Sequence, residues 1–256
     1  MNRPMRQLCH VMALGAALAL GSLCVGASAR AEPAAPNDES HDPLEGMNRG
    51  IFWFNDQIDL YILEPAGKGW NFIAPDRVKK SVANFFMNLR FPIVMVNDLL
   101  QGKIVHSASD IGRFGVNTTV GVLGFFDPAS DWGLEAHNED FGQTLGWWGV
   151  PPGPYLVLPF FGPSSPRDTV GLAVDSVSTI YPFYVAIPYT AGARAVDVVN
   201  LRAMVLDEVR HAKEASVDYY TAVRNAYRQR RAALVRDGEL NAQEQEDLYN
   251  VEPNGE

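Results

Sequence analysis

The segment "GWWGVPPGPYLVLPFFGPSSP", residues 146–166, limits the folds that this chain can adopt. It lies within 23 consecutive uncharged residues, Thr144 to Pro166, which is long enough for a helix to cross a bilayer. Six prolines interrupt it, and each removes a backbone N–H and clashes with the preceding helical turn. The segment is therefore too apolar for an ordinary surface loop and too interrupted for a membrane-spanning helix.

The sequence before this segment indicates helices. In "DPLEGMNRGIFWFNDQIDLYILEP" apolar residues recur at alternating spacings of four and three, which places them on one helical face. These residues are Met47, Ile51, Phe54, Ile58 and Tyr61. Pro65 is expected to follow the end of this helix. A second helix is expected to begin near Pro75, and Pro92 is expected to start a separate short helix that Gly102 ends.

Further helices are expected over Ser107–Thr118, in "HNEDFGQTLGWWG", in "RDTVGLAVDSVSTI" and in two segments near the C-terminus. Asn138 is the expected N-cap of the second of these, and Ser165 is the expected N-cap of the third. No sustained alternation of apolar and polar residues indicates a β-sheet. The sequence therefore predicts an all-α fold, a single multi-helix domain over residues 42–238 with apolar connections rich in proline and glycine.

Residues 1–31 have the layout of a secretory signal peptide. Arg3 and Arg6 precede an apolar centre, and Ala29-Arg30-Ala31 forms a small-residue cleavage site before Glu32. Lipidation at Cys24 is the alternative, but Gly21 and Leu23 occupy the positions where a lipoprotein signal carries leucine and a small residue. Cleavage after Ala31 removes both cysteines, so the mature chain would contain no disulfide.

The mature chain is strongly acidic. Residues 32–41 form a short polar linker, and removal of the signal peptide leaves 18 Lys and Arg against 30 Asp and Glu, a net charge near −12. From Asp237 onward there are seven acidic residues and no basic one, so residues 239–256 are expected to be a solvated, disordered tail. This balance argues against nucleic acid as a partner, because phosphate contacts require a basic face.

Catalytic and metal-binding patterns are weak. The mature histidines are widely separated and show no metal-ligand spacing, so no metal and no cofactor are expected. "AHNED", residues 136–140, is interpreted as a helix start rather than an acid–base pair. "GPSSPRD", residues 162–168, lacks the G-x-S-x-G motif of a lipase, although Ser164 or Ser165 would be the nucleophile of an exported phospholipase or esterase.

Three uncharged stretches, residues 114–126, 144–166 and 176–193, are rich in aromatic residues. In a soluble protein they would simply form the core. Tyrosine and tryptophan also gather at membrane–water interfaces, and irregular backbone is tolerated at membrane depth where it packs on protein or lines a wet cavity. An all-helical body that sits partly in one leaflet would need segments of this kind.

Five blocks in order resemble the MlaA/VacJ family of outer-membrane phospholipid-transport lipoproteins. They are "DPLEGMNRGIFWFND", "NFFMNLRFPIVMVNDLLQGK", "EDFGQTLGWWGV", "GPYLVLPFFGPSSPRD" and "DYYTAVRNAYRQRRAALVRDG". The resemblance extends from about Asp42 to Gly238. The departure from the family pattern is the weak lipidation signal around Cys24.

The resemblance implies a mostly helical ring in the inner, periplasm-facing leaflet of the outer membrane, with an amphipathic channel through it. Phospholipids misplaced in the outer leaflet would pass through this channel to a soluble periplasmic carrier and return to an ATP-driven complex in the inner membrane. Such retrograde transport maintains the lipid asymmetry of the outer membrane and involves no catalysis by this chain. The family is also associated with trimeric porins, and a purely structural, porin-binding role is the remaining alternative.

Ten residues are the candidates for the lipid path or the membrane face. Two come from the first helix block, and the others come from the uncharged aromatic stretches. They are Phe54, Asn55, Phe125, Phe126, Trp147, Trp148, Tyr155, Leu156, Phe160 and Phe161.

Overall fold

The structure is a computed structural model that describes residues 42–178 and 187–237, with side chains in the second range from residue 191. These residues belong to one compact unit, Asp38–Glu256. The predicted signal peptide with Cys24, the linker and the acidic tail lie outside the described residues, as do residues 179–186 of the uncharged stretch 176–193.

The described chain is mainly helical, which confirms the predicted all-α class. The elements up to the first strand are α1 (Glu45–Ile58), a π-helical turn (Asp59–Leu63), α2 (Glu64–Ile73), α3 (Asp76–Leu100), α4 (Ile104–Thr119), α5 (Pro128–Asp131) and α6 (Phe141–Trp147). The remaining elements are β1 (Leu156–Leu158), β2 (Gly162–Ser164), α7 (Pro166–Ser178), α8 (Ile187–Met204), α9 (Leu206–Ala215) and α10 (Tyr219–Val235). The strands form an antiparallel hairpin with Leu156 opposite Ser164, so the proline-rich segment contains a small β element that the sequence did not indicate.

Two prolines that were expected to bound helices lie within helical chain. Pro65 is in the first turn of α2, which continues directly from the π-helical turn. The π turn already shifts the backbone hydrogen bonds there, so the missing N–H of Pro65 interrupts no regular ladder. Pro92 lies inside the 25-residue α3. The cost of an interior proline, about 3 kcal/mol, is offset by the packing of α3 against α4, α6 and α8.

One of the two predicted N-caps is correct. The Ser165 hydroxyl accepts a hydrogen bond from the Asp168 N–H at 3.2 Å, which confirms the predicted start of α7. Asp140, and not Asn138, caps α6, because its carboxylate accepts from the Gln143 N–H at 2.9 Å. An N-cap satisfies one of the unpaired N–H groups in the first helical turn.

The contacts between elements form a closed circuit. The helix formed by α1, the π turn and α2 packs through α2 against α8, which packs against α3. Helix α3 packs against α6, α6 against α10, and α10 against β2, while β1 returns to α1. The other described helices flank this circuit: α4 lies on α3, α5 on α4, α7 on α6 and α9 on α2. A ring-like arrangement, which the resemblance implies, requires such a continuous cycle of packed elements.

This circuit encloses only a small apolar core. The main cluster consists of Tyr155, Val157 and Tyr220, packed against Ile51, Phe52 and Tyr227. Among the described residues, nineteen buried polar or charged side chains stand against seven buried apolar ones. Large apolar side chains lie at the surface instead, including Phe72, Ile73, Tyr61 and Val105. This distribution reverses that of a water-soluble domain, in which the polar groups are mostly exposed.

Candidate functional site

Two asparagines of α1 hold the β-hairpin. The Asn48 amide donates to the Tyr155 carbonyl oxygen at 2.9 Å and accepts from the Val157 N–H at 2.9 Å. Asn55 repeats this pattern, donating to the Leu158 carbonyl oxygen at 2.9 Å and accepting from the Phe160 N–H at 2.8 Å. The two side chains therefore satisfy backbone groups that a third strand would otherwise pair.

The hairpin turn presents aromatic rings at the surface. Phe160 has a φ of +67°, and the Phe160 and Phe161 side chains are both exposed. The Phe54 ring meets the Phe160 ring edge-on, with centroids 5.5 Å apart. The structure thus brings together three of the predicted site residues, Phe54, Asn55 and Phe160, and Asn55 fixes the backbone that carries Phe160.

Tyr155 requires a correction. It was expected in the lipid path or at the membrane face, but its side chain is only 2% exposed and belongs to the small core. Burial, followed by the charge of Asp42, raises the pKa of its phenol to about 12. Successive side chains in extended chain point to opposite sides, so Tyr155 and Val157 turn inward while Leu156 between them is half-buried.

Trp147 and Trp148 lie at the end of α6 with half of each side chain exposed. The Trp148 indole N–H donates to the Leu100 carbonyl oxygen at 3.1 Å, and the Lys103 ammonium lies 5.2 Å from the Trp147 ring centroid. Each ring thus has a polar contact on one side and open surface on the other, the arrangement that tryptophan adopts at a membrane–water interface.

Phe125 and Phe126 belong to an apolar turn after α4. Phe125 is half-buried and stacks on Phe85 with centroids 4.8 Å apart, whereas Phe126 is exposed. Val122 and Leu123 in this turn have φ values of +53° and +58° and are exposed as well. A β-branched residue with positive φ is strained, and such strain clusters at functional sites. Sequence patterns did not reveal this turn, because neither residue type favours that conformation.

An ion-pair cluster joins α10 to α6 and α7. Arg231 donates to both carboxylate oxygens of Asp140 at 2.6 Å and to Asp168 at 3.0 Å, and the Tyr227 hydroxyl also donates to Asp168. Burial opposes the ionisation of Asp168, but the hydrogen bonds from Arg231 and Tyr227 outweigh it and lower the Asp168 pKa to about 2. At Asp140, burial is likewise outweighed by hydrogen bonds from Arg231 and Gln143, which lower the pKa. This cluster holds α10 against α6, one of the contacts in the circuit, and no sequence pattern indicated it.

A second cluster closes the circuit beside the π-helical turn. Arg202 of α8 donates to both oxygens of Asp59, at 2.6 and 3.0 Å, and Lys213 of α9 lies 3.3 Å from the same carboxylate. Lys213 also pairs with Asp56 at 2.6 Å. These contacts fix the position of the turn relative to the last third of the chain.

The geometry around Ser164 and Ser165 does not support a hydrolase. Both residues are buried, the Ser164 hydroxyl lies 3.0 Å from the Thr169 hydroxyl, and the Ser165 hydroxyl caps α7. A nucleophilic serine needs a base within hydrogen-bonding reach and access to substrate. In the part of the chain that the structure describes, no hydrogen bond links either serine to a histidine.

The described residues contain neither a candidate metal site nor a candidate membrane-spanning helix. No group of three or more His, Cys, Asp or Glu side chains within residues 42–178 and 187–237 has the geometry to hold a metal ion. Within the same ranges, no helix combines the length and apolar character needed to cross a bilayer.

Comparisons with known proteins agree on one family. A family model described as MlaA lipoprotein matches residues 40–234. The intermembrane phospholipid transport system lipoprotein MlaA of Escherichia coli K12 is 35% identical over 250 residues, covering 92% of this chain and 97% of that protein. The protein of the same name from Haemophilus influenzae is 37% identical over 207 residues, covering 79% and 82% of the two chains.

A solved structure also matches this chain. It comes from work on the structural basis for maintenance of bacterial outer membrane lipid asymmetry. The superposition has a TM-score of 0.67 at 36% identity and covers 76% of this chain and 99% of that chain. The two chains therefore share sequence as well as fold.

Proposed function

Because this chain belongs to the MlaA lipoprotein family, we propose that it removes misplaced phospholipids from the outer leaflet of the outer membrane and delivers them to a periplasmic carrier. Its relatives in Escherichia coli and Haemophilus influenzae are named as lipoproteins of an intermembrane phospholipid transport system. The chain is accordingly a phospholipid-transport component, and the retrograde direction and the route through a channel are the specific content of the proposal.

The observation that carries this proposal is that polar side chains are buried and large apolar side chains are exposed in a closed cycle of packed elements. Buried polar side chains outnumber buried apolar ones in the described residues, while Phe72, Tyr61, Phe160 and others face outward. A ring with an apolar outer surface is stable in lipid. Polar groups in the interior bind one another, as Asp140 and Arg231 do, so they join the elements of the ring without facing lipid.

The proposed position is the periplasm-facing leaflet. A ring immersed to the depth of one leaflet needs no helix that spans the bilayer. Immersing several hundred Å² of apolar surface at about 25 cal/mol per Å² holds such a ring firmly, and an acyl chain at the N-terminus would add about 0.8 kcal/mol per buried CH₂. The half-exposed Trp147 and Trp148 would then lie near the headgroups.

The proposed partners are phospholipids, a periplasmic lipid carrier of the same system and a trimeric porin in the outer membrane. Transport of this kind leaves every lipid ester bond intact. The buried, helix-capping Ser165 and the buried Ser164 agree with a chain that performs no hydrolysis.

The test combines an assay in cells with one in vitro. Deletion of the gene should expose phospholipid in the outer leaflet, and the intact gene should restore asymmetry. In vitro, vesicles that contain the purified protein should transfer labelled phospholipid to the carrier without releasing fatty acid. Ser164→Ala and Ser165→Ala should leave transfer unchanged. If the protein releases fatty acid and either serine substitution abolishes this release, the chain is an esterase. If asymmetry stays intact after deletion of the gene, the chain has a purely structural, porin-binding role.

A further inference from the structure

A group of buried polar atoms without partners lies where α3 turns into α4. Asp98 is fully buried, and neither of its carboxylate oxygens has a hydrogen-bond partner among the described residues. The same is true of one Asp110 carboxylate oxygen, the Ser107 hydroxyl and the His106 Nδ1. Buried polar atoms are almost always paired, so a cluster of unpaired ones on two adjoining helices requires an explanation.

The charged groups around Asp98 do not neutralise it. Asp110 of α4 lies beside it, Lys103 lies in the turn between the two helices, and the His106 ring of α4 stacks on the His137 ring. Glu139 and His137 come from the segment before α6, where His137 Nδ1 lies 3.2 Å from the other Asp110 oxygen. Lys103 is the nearby cation, but it pairs with Glu139 at 3.2 Å and contacts Asp237.

These surroundings favour a protonated carboxyl group. Burial, then the Asp110 carboxyl group, which can form a hydrogen bond with Asp98 once one of the two is protonated, then the charge of Glu139 raise the pKa of Asp98 to about 8, while Lys103 opposes the shift. Two carboxyl groups in contact cannot both ionise in a dry interior, and a single proton between them satisfies one oxygen of each. No set of three ligating side chains among the described residues offers a metal ion as the alternative.

We propose that Asp98 and Asp110 hold one proton between their carboxyl groups at neutral pH, and that this bond is a pH-sensitive latch between α3 and α4. Loss of the proton leaves two adjacent anions in the interior, and the corner between the helices loosens. This corner supports the tryptophan pair: the Leu100 carbonyl accepts from the Trp148 indole, and Lys103 lies beneath the Trp147 ring. Opening of the latch should therefore break the contacts of Trp148 with Leu100 and of Trp147 with Lys103.

The sign of the pH dependence follows from the raised pKa. The folded state holds a proton that an unfolded aspartate releases near pH 4, so the stabilisation is complete below that pH and disappears as pH rises through about 8. Asp98→Asn carries a permanent hydrogen-bond donor of the same shape, so it should retain the latch at every pH. Asp131→Asn, at an exposed position on α5, is the matched control.

The experiment uses the full chain in detergent micelles between pH 5 and 8. Hydrogen exchange at the amides of residues 97–105, corrected for intrinsic rates, gives the equilibrium constant for local opening of this corner. The ratio of this constant in the wild type to that in Asp98→Asn should rise by up to about tenfold for each unit of pH. Asp131→Asn should behave like the wild type. The infrared difference spectrum between the wild type and Asp98→Asn at pH 6 should contain the carbonyl band of a protonated carboxylic acid, and Asp175 and Asp197, whose pKa values burial also raises, cancel in this difference.

Three outcomes would overturn the proposal. One is a wild-type spectrum at pH 6 that lacks the protonated band, a measurement that needs no variant to fold. Another is opening in Asp98→Asn that follows the wild type across the whole pH range. The third is stabilisation of the wild type at pH 8 by calcium or magnesium that Asp98→Asn does not share, because the cluster would then bind a cation and not a proton.

Discussion

Asn48 and Asn55 lie seven residues apart on α1 and bind hairpin backbone groups that are three residues apart, first at Tyr155 and Val157 and then at Leu158 and Phe160. Two helical turns rise about 10.5 Å, and three residues of extended chain span about 10 Å. The spacing of the asparagines therefore matches the repeat of the strand that they bind, and this match sets the register of the hairpin on the helix.

Removing either asparagine should loosen the hairpin. Asn48→Ala leaves two buried backbone groups unpaired and should lower the free energy of unfolding by roughly 2–3 kcal/mol. Asn55→Ala should cost less, about 1 kcal/mol, because water reaches the half-exposed end of the hairpin. Thermal unfolding of the purified protein measures both changes, and hydrogen exchange should show the loss of protection at Val157 in the first variant and at Phe160 in the second.

Substitution by aspartate separates the two bonds that each asparagine makes. Asn55→Asp keeps the acceptor for the Phe160 N–H and loses the donor to the Leu158 carbonyl. Protection of the Phe160 amide should therefore survive in Asn55→Asp and disappear in Asn55→Ala. Equal loss of protection in the two variants would contradict the clamp.

Arg231 should be far more sensitive to substitution than its neighbour Arg230. Arg231→Met leaves the Asp140 and Asp168 carboxylates largely buried without their cation, and such removals cost about 3–5 kcal/mol. The neighbouring Arg230 is exposed, so Arg230→Met should change stability by less than about 0.5 kcal/mol. Denaturant titration of both variants in the same detergent tests the difference. Equal effects of the two substitutions would show that the cluster contributes nothing specific.

The same cluster predicts loss of stability in acid. The Asp168 pKa is lowered to about 2 and that of Asp140 is lowered as well, so their contribution is complete above pH 4 and is lost as pH falls toward 2. For Asp168 it amounts to about 2 kcal/mol. The stability difference between wild type and Asp168→Asn should shrink as pH is lowered from 5 to 2, and a constant difference over this range would refute the assignment.

Much of the fold follows from local signals. Apolar spacing located α1, and the serine and proline of "SSPRD" located the start of α7. These features depend on residues within a few positions of one another. The expected breaks at Pro65 and Pro92 were wrong because tertiary packing and a π turn accommodate both prolines.

The joints of the circuit depend on partners far apart in the chain. Asn48 binds a residue 107 positions away, and Arg231 binds one 91 positions away. Sequence spacing carries no information about such pairs. The available signal was chemical: asparagines beside the apolar stripe of α1 are poor helix formers, and their presence in "MNRGIFWFND" indicates backbone partners outside the helix.

The mature N-terminus is predicted to be Glu32 without an acyl chain. Ala29-Arg30-Ala31 is a good cleavage site, whereas Gly21 and Leu23 give Cys24 a poor lipidation context, although the family is one of lipoproteins. Mass spectrometry of the protein isolated from outer membranes decides the point. A mature chain that begins with a diacylated Cys24 would disprove the prediction, and a Cys24→Ala variant with unchanged mass and location would support it.

Phe160 provides the sharpest test of membrane placement. Its side chain is 74% exposed at the tip of the hairpin, so a charge there should leave the small core intact. Phe160→Lys should weaken binding to phospholipid vesicles, by about 2–4 kcal/mol if the tip reaches the hydrocarbon midplane and by less near the interface, while the helical circular dichroism spectrum persists.

Leu156→Lys, at a half-buried strand position, should weaken binding and lower stability together. Val217 is fully exposed beside Asp218 and close to Arg49, so Val217→Lys is the matched control and should bind vesicles like the wild type. If Phe160→Lys binds as tightly as Val217→Lys, the hairpin tip does not lie in the membrane and the proposed orientation of the ring is wrong.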